Sequence, residues 1–111
     1  MQPKKIARLA VEAAEDKKAE HTVILDVAKL TSVAHYFVIT QGRSDRQVRT
    51  IADHIIESLE KNGVRVLHRE GMETAKWVLI DVGDVLIHVF YHDTREFYGL
   101  ERLWGEAPKV I

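Results

Sequence analysis

The chain has 111 residues, with 16 Lys plus Arg against 17 Asp plus Glu, a net charge of -1 and no Cys. That length fits one domain over residues 1–111, and the near-neutral charge excludes a general electrostatic pull toward nucleic acid or an anionic membrane. Without Cys there are no disulfides, thiolate metal sites or Cys nucleophile, and no apolar run approaches the roughly 20 residues of a membrane span. The N-terminal residues show neither a secretory signal nor an Arg/Ser-rich transit peptide, so a cytoplasmic location is expected.

The elements follow in chain order. Pro3 suits a first helical position, and Ile6, Leu9, Ala10, Ala13 and Ala14 form an apolar stripe to about Lys18. His21 to Val27 alternates like a strand with Val23 and Leu25 on one side, and Tyr36 to Gln41 is a second strand. Gly42 breaks it. Ser44 and Gln47 have the spacing of a capping box opening a helix, whose apolar face is Val48, Ile51, Ala52, Ile55, Ile56 and Leu59. Gly63 ends that helix. Val64 to Arg69 reads as a third strand, 76–81 and 84–91 as a hairpin, and Thr94 as the start of a last helical segment. The order α-β-β-α-β-β-β-α predicts an α/β (α+β) fold, a mixed sheet of about five strands flanked by helices.

The hairpin carries the main clue to function. With Asp81-Val82-Gly83-Asp84 as the turn, Asp81 faces Asp84, Leu79 faces Leu86 and Trp77 faces His88. One face then holds the β-branched Val78, Ile80, Val85, Ile87 and Val89, suited to packing under helices. The other holds Trp77, Leu79, Asp81, Asp84, Leu86, His88 and Phe90, an apolar centre with acids at the turn, like an interface core with its rim. The alternative is a further helix covering this second face.

Beyond the hairpin, Phe97, Leu100 and Trp104 share helical spacing and are expected to pack on the sheet. Tyr98 points elsewhere and is expected to extend a docking surface or a dimer contact. A core-closing helix is the other reading of this segment.

The signals for chemistry are weaker. Gly42-Arg43-Ser44, between a strand and a helix, could grip phosphate in a nucleotidyltransferase-like enzyme using Ser44, Asp81 and Asp84. The competing reading makes Ser44 a helix cap and the two acids turn residues. Six His show no ligand spacing that converges, so no metal and no cofactor is expected. Arg43, Arg46 and Arg49 crowd the start of the long helix, against its dipole. A solvated helix face accounts for them more simply than an RNA contact does.

Three stretches, TSVAHYFVITQGRSDRQVRTIADHI, WVLIDVGDVLIHVF and REFYGLERLWGEA, resemble the Iojap-like ribosomal silencing factors in sequence and order, over nearly the whole chain from Leu9 to Ala107. The resemblance implies a nucleotidyltransferase-like architecture without its catalytic carboxylates. It implies a small, often homodimeric factor that binds the fourteenth protein of the large ribosomal subunit. There it would block joining of the small subunit and repress translation when nutrients are scarce. His35 departs from the pattern, because the family usually has an acid there.

Overall fold

The computed structural model describes all residues from Met1 to Ile111. Helix α1 spans Pro3–Asp16, with Pro3 in its first turn. Strands β1 (Glu20–Asp26) and β2 (Tyr36–Gly42) follow, then helix α2 (Asp45–Lys61). Strands β3 (His68–Glu70), β4 (Trp77–Asp81) and β5 (Val85–Tyr91) complete one sheet in the order β1-β2-β5-β4-β3. Two short helices, α3 (His92–Tyr98) and α4 (Leu100–Leu103), lie near the C-terminus. No helix is long and apolar enough to cross a membrane.

Only β2 and β5 pair in parallel; the other neighbours are antiparallel. The chain therefore leaves β2 through α2, reaches the far edge at β3, and returns through β4 to place β5 beside β2. Helices α1 and α2 cover one face. The stripe Ile6, Ala7, Ala10, Val11, Ala13 and Ala14 meets the α2 face Val48 to Leu59, over Val78, Ile80, Val85, Ile87 and Val89. The β-branched hairpin face is thus the packed one, as its composition predicts.

Local chemistry sets the boundaries of α2. The Ser44 Oγ accepts from the Gln47 backbone N–H at 3.0 Å, and the Gln47 side chain accepts from the Arg43 N–H at 2.7 Å. This is a capping box displaced by one residue at its return bond. At the other end, Gly63 (φ 81°) sits in a Schellman turn, with Val64 N–H donating to the Leu59 carbonyl at 2.9 Å and Gly63 N–H to Glu60 at 3.0 Å.

Three sequence expectations need correction. The third strand covers only His68–Glu70 instead of Val64 to Arg69, because Val64 is buried closing the end of α2 and the chain reaches the sheet only near Leu67. The hairpin register is shifted by two residues: Trp77 pairs with Phe90, Leu79 with His88 and Asp81 with Leu86. The turn is centred on Gly83-Asp84, with Val82 N–H donating to the Val85 carbonyl at 3.1 Å and Gly83 at φ 96°. A shift of two preserves every face assignment. Finally, the last helix begins at His92 and breaks at Gly99, which is left-handed at φ 60°.

Candidate functional site

The second sheet face divides into a covered half and an open half. Val23, Leu25 and Val27 from β1 and its following turn, Phe37 and Ile39 from β2, Ala34, and Phe90 form a second core. Leu100, Trp104 and Ala107 pack over it, with Trp104 edge-on to Phe37 at 5.2 Å between ring centroids. The tail seals the β1 edge, where Asp26 N–H donates to the Pro108 carbonyl at 2.8 Å and Val110 N–H to Ile24 at 2.7 Å. A helical cover therefore exists over β1 and β2. Over β4 and the start of β5 the side chains of Trp77, Leu79 and Leu86 stay half-buried.

Trp77 is the centre of the open half. Its indole lies 4.7 Å from the Tyr98 ring and 5.2 Å from the Phe90 ring. Beside it Glu70, Gly71, Trp77 and Leu79 line a shallow depression of about 420 Å³. Tyr98 is 48% exposed and belongs to this surface. Phe90 does not: it is completely buried, a core residue with no surface to offer. His88 is also buried. Its Nδ1 accepts from the Trp77 indole N–H at 3.1 Å, its Nε2 has no partner, and burial pushes its pKa down to about 4.

The aromatic pair at the end of α3 is also a correction. Phe97, expected on the sheet, is 79% exposed. The phase of α3 is set by Arg95, which is buried against the sheet. Tyr98, three residues on, shares that side; Phe97, two residues on, turns away. Leu100 and Trp104 do pack on the sheet, because Gly99 restarts the helix in a new direction. Arg95 carried no sequence signal. Its Nε donates to Glu101 at 2.8 Å, and its Nη1 donates to the His21 carbonyl at 2.7 Å and to Gln41 Oε1 at 3.1 Å. It fastens α3 to the irregular start of β1, where His21 has φ 50°.

The two turn acids differ. Asp81 accepts from the Gly83 backbone N–H at 2.8 Å and so shapes the turn. Asp84 receives two backbone bonds on its carbonyl, from His35 at 2.7 Å and Tyr36 at 3.1 Å, while its carboxylate is exposed and unbonded. Neither acid can act with Ser44. The turn lies where β2 begins and Ser44 lies beyond where β2 ends, and β2 and β5 run parallel. Seven residues of strand separate the two ends, roughly 20 Å. Ser44 is the α2 cap, and the three residues of the enzyme reading are never brought together.

Nor do three or more His, Asp or Glu converge as a metal cluster. Of the arginines near the start of α2, Arg43 pairs with Glu20 at 2.7 Å. Arg49 donates to the Met72 and Glu73 carbonyls. Only the Arg46 side chain is left without a protein partner.

The family model described as ribosomal silencing factor during starvation matches residues 1–111. A ribosomal silencing factor of Bacillus subtilis is 46% identical over 97% of this chain and 92% of its own length. The chloroplast protein Iojap of Zea mays is 30% identical over 89% of this chain and 43% of its own length. Among solved structures, a Chromobacterium violaceum protein superposes with a TM-score of 0.93 at 40% identity, covering 95% of this chain and 88% of that one. A Bacillus halodurans protein gives a TM-score of 0.86 at 41% identity, covering 97% and 98%.

Proposed function

The chain belongs to the ribosomal silencing factor family, and on that premise we propose that it represses translation by binding the large ribosomal subunit and blocking its joining with the small one. The partner is the fourteenth large-subunit protein, and the action is occlusion without a chemical step, in the cytoplasm. Ribosomal RNA is at most a minor contact, through Arg46. The free chain is a homodimer, which would shield apolar side chains such as Phe97 and Leu103 that the monomer leaves 79% and 75% exposed.

The observation that carries this reading is the open half of the second face. Trp77, Leu79, Leu86 and Tyr98 form an aromatic and aliphatic patch that no element of the chain covers, with Glu70, Asp81 and Asp84 at its margins. An apolar centre with an acidic rim suits a basic protein surface, as ribosomal proteins offer. Among the relatives, a mouse protein named for mitochondrial assembly of the ribosomal large subunit is 26% identical over 86% of this chain, which supports a large-subunit partner.

Co-sedimentation of the chain with purified large subunits tests the reading. Binding is expected, together with less joining when small subunits are added. A chain that pellets with neither subunit, or leaves joining unchanged while bound, overturns it.

A further inference from the structure

Trp77 and His88 stand diagonally across β4 and β5, since Trp77 pairs with Phe90 and His88 pairs with Leu79. Diagonal neighbours on one face are about 7–8 Å apart at the backbone, a span only long side chains cross. Here the indole N–H reaches the imidazole Nδ1 at 3.1 Å. The imidazole itself is tightly held. Its ring lies 5.1 Å from Phe37, edge to face, and 6.3 Å from Phe90 in a stacked orientation.

To accept at Nδ1, His88 must carry its proton on Nε2, and that N–H is buried without a partner. An unpaired buried donor is costly. An apolar side chain of similar size at this position would leave no such orphan. The one polar bond that the imidazole makes is to Trp77. The indole's contacts with Phe90 and Tyr98 are ring to ring and offer its N–H no acceptor. Only one orientation puts its N–H on an acceptor.

We propose that His88 is a positioning residue for the docking surface: through Nδ1 it fixes the orientation in which the half-exposed Trp77 indole meets the ribosomal partner. The inference rests on the reading that Trp77 lies in that interface. His88 itself is 5% exposed and acts through Trp77, not by contact.

The test uses four variants of the full chain. His88→Leu removes the acceptor and keeps an apolar filling. His88→Asn keeps an acceptor near the Nδ1 position. Trp77→Phe removes the donor, and Trp77→Ala removes the anchor. Each is examined by circular dichroism, by the indole N–H resonances and their solvent exchange in NMR, and by affinity for purified large subunits. His88→Leu should stay folded, speed exchange of the Trp77 indole proton, and lose affinity about tenfold, as expected for one lost hydrogen bond at an anchor. His88→Asn should restore much of both. Trp77→Phe should lose affinity to a similar degree, and it supplies the same answer from the surface side if His88→Leu does not fold.

Trp77→Phe binding within about twofold of the parent, well short of one hydrogen bond, overturns the proposal. So does a folded His88→Leu with unchanged indole exchange or affinity. Where Trp77→Ala also binds normally, the docking reading fails instead. Where Trp77→Ala loses binding and the other variants do not, only the role of His88 fails.

Discussion

Tyr98 packs against Trp77 with ring centroids 4.7 Å apart, while Phe97, its neighbour in the chain, is 79% exposed. The two aromatics therefore divide their work by helical phase. At chain concentrations low enough to keep the protein monomeric, Phe97→Ala should change folding stability by less than about 0.5 kcal/mol, as surface changes do, while at higher concentration it should weaken the proposed self-association. Tyr98→Ala should cost about 1 kcal/mol in lost aromatic packing and also weaken large-subunit binding. Chemical denaturation with co-sedimentation measures both. A larger stability loss for Phe97→Ala than for Tyr98→Ala would contradict the assignment.

Phe90 and Trp77 face each other across β4 and β5, yet only one is accessible. Phe90→Ala should destabilise by about 3–5 kcal/mol, the range for a buried aromatic. Trp77→Ala should leave a cooperative thermal transition and reduce ribosome affinity by about 2 kcal/mol or more, as an aromatic anchor does. Comparable melting losses for the two variants would place Trp77 in the core.

These contrasts mark how far the sequence could be read. The two hairpin faces, the α2 cap at Ser44 and the apolar stripes of α1 and α2 were legible because each depends on local periodicity or capping chemistry. The hairpin register was misread by two residues, since Asp81 offers an attractive turn start and side-chain alternation tolerates an even slip. Of the residues expected on the mixed face and its neighbouring helix, Trp77, Leu79, Leu86 and Tyr98 keep exposed surface. Phe90 was not separable from them, because its cover comes from the C-terminal segment and alternation does not report which half of a face is covered. Arg95 was invisible for the same reason: its acceptors on His21 and Gln41 lie 74 and 54 residues away.

Acid should weaken the fold through His88. On the same sheet face beside it stand Trp77 and Leu79 from β4, Phe37 and Ile39 from β2, and Leu86 and Phe90 from its own strand, with the titratable Tyr98 packed on Trp77 and Phe90. Burial lowers the folded-state pKa to about 4, below the ordinary value of 6.5. Between these values the unfolded chain binds the proton and the folded chain does not. The stability is complete above pH 6.5 and declines as pH falls toward 4, by about 3 kcal/mol in all. Urea unfolding across pH 7.5 to 4 measures it. His88→Asn should flatten this part of the profile, and an unchanged slope in that variant would assign it to other groups.

Gly71 tests how the Trp77 strand is held. It has φ 90°, and a Cβ there would overlap the backbone carbonyl of Trp77. Gly71→Ala therefore meets both a disfavoured backbone region and an immovable neighbour. It should lower stability by about 2 kcal/mol or more and shift the Trp77 indole resonance. A variant as stable as the parent would mean that the loop before β4 moves freely.

The turn acids offer the last contrast. Asp81 is committed to the Gly83 N–H at 2.8 Å, whereas the Asp84 carboxylate is exposed and bonds to nothing in the chain. Asp81→Ala should act on the fold, at a cost of about 1 kcal/mol for the lost turn bond, with little change in how association responds to salt. Asp84→Lys should leave stability within about 0.5 kcal/mol, because its structural role runs through the backbone carbonyl that His35 and Tyr36 share. If the partner surface is basic, the change places a cation against it. Exposed rim charges act mainly on encounter, so association should slow at low salt and recover as salt screens the repulsion, the reverse of the parent's response. Stopped-flow association with large subunits across an ionic-strength series reads this directly. Parallel salt profiles for parent and Asp84→Lys would remove Asp84 from the rim and leave the apolar patch to act alone.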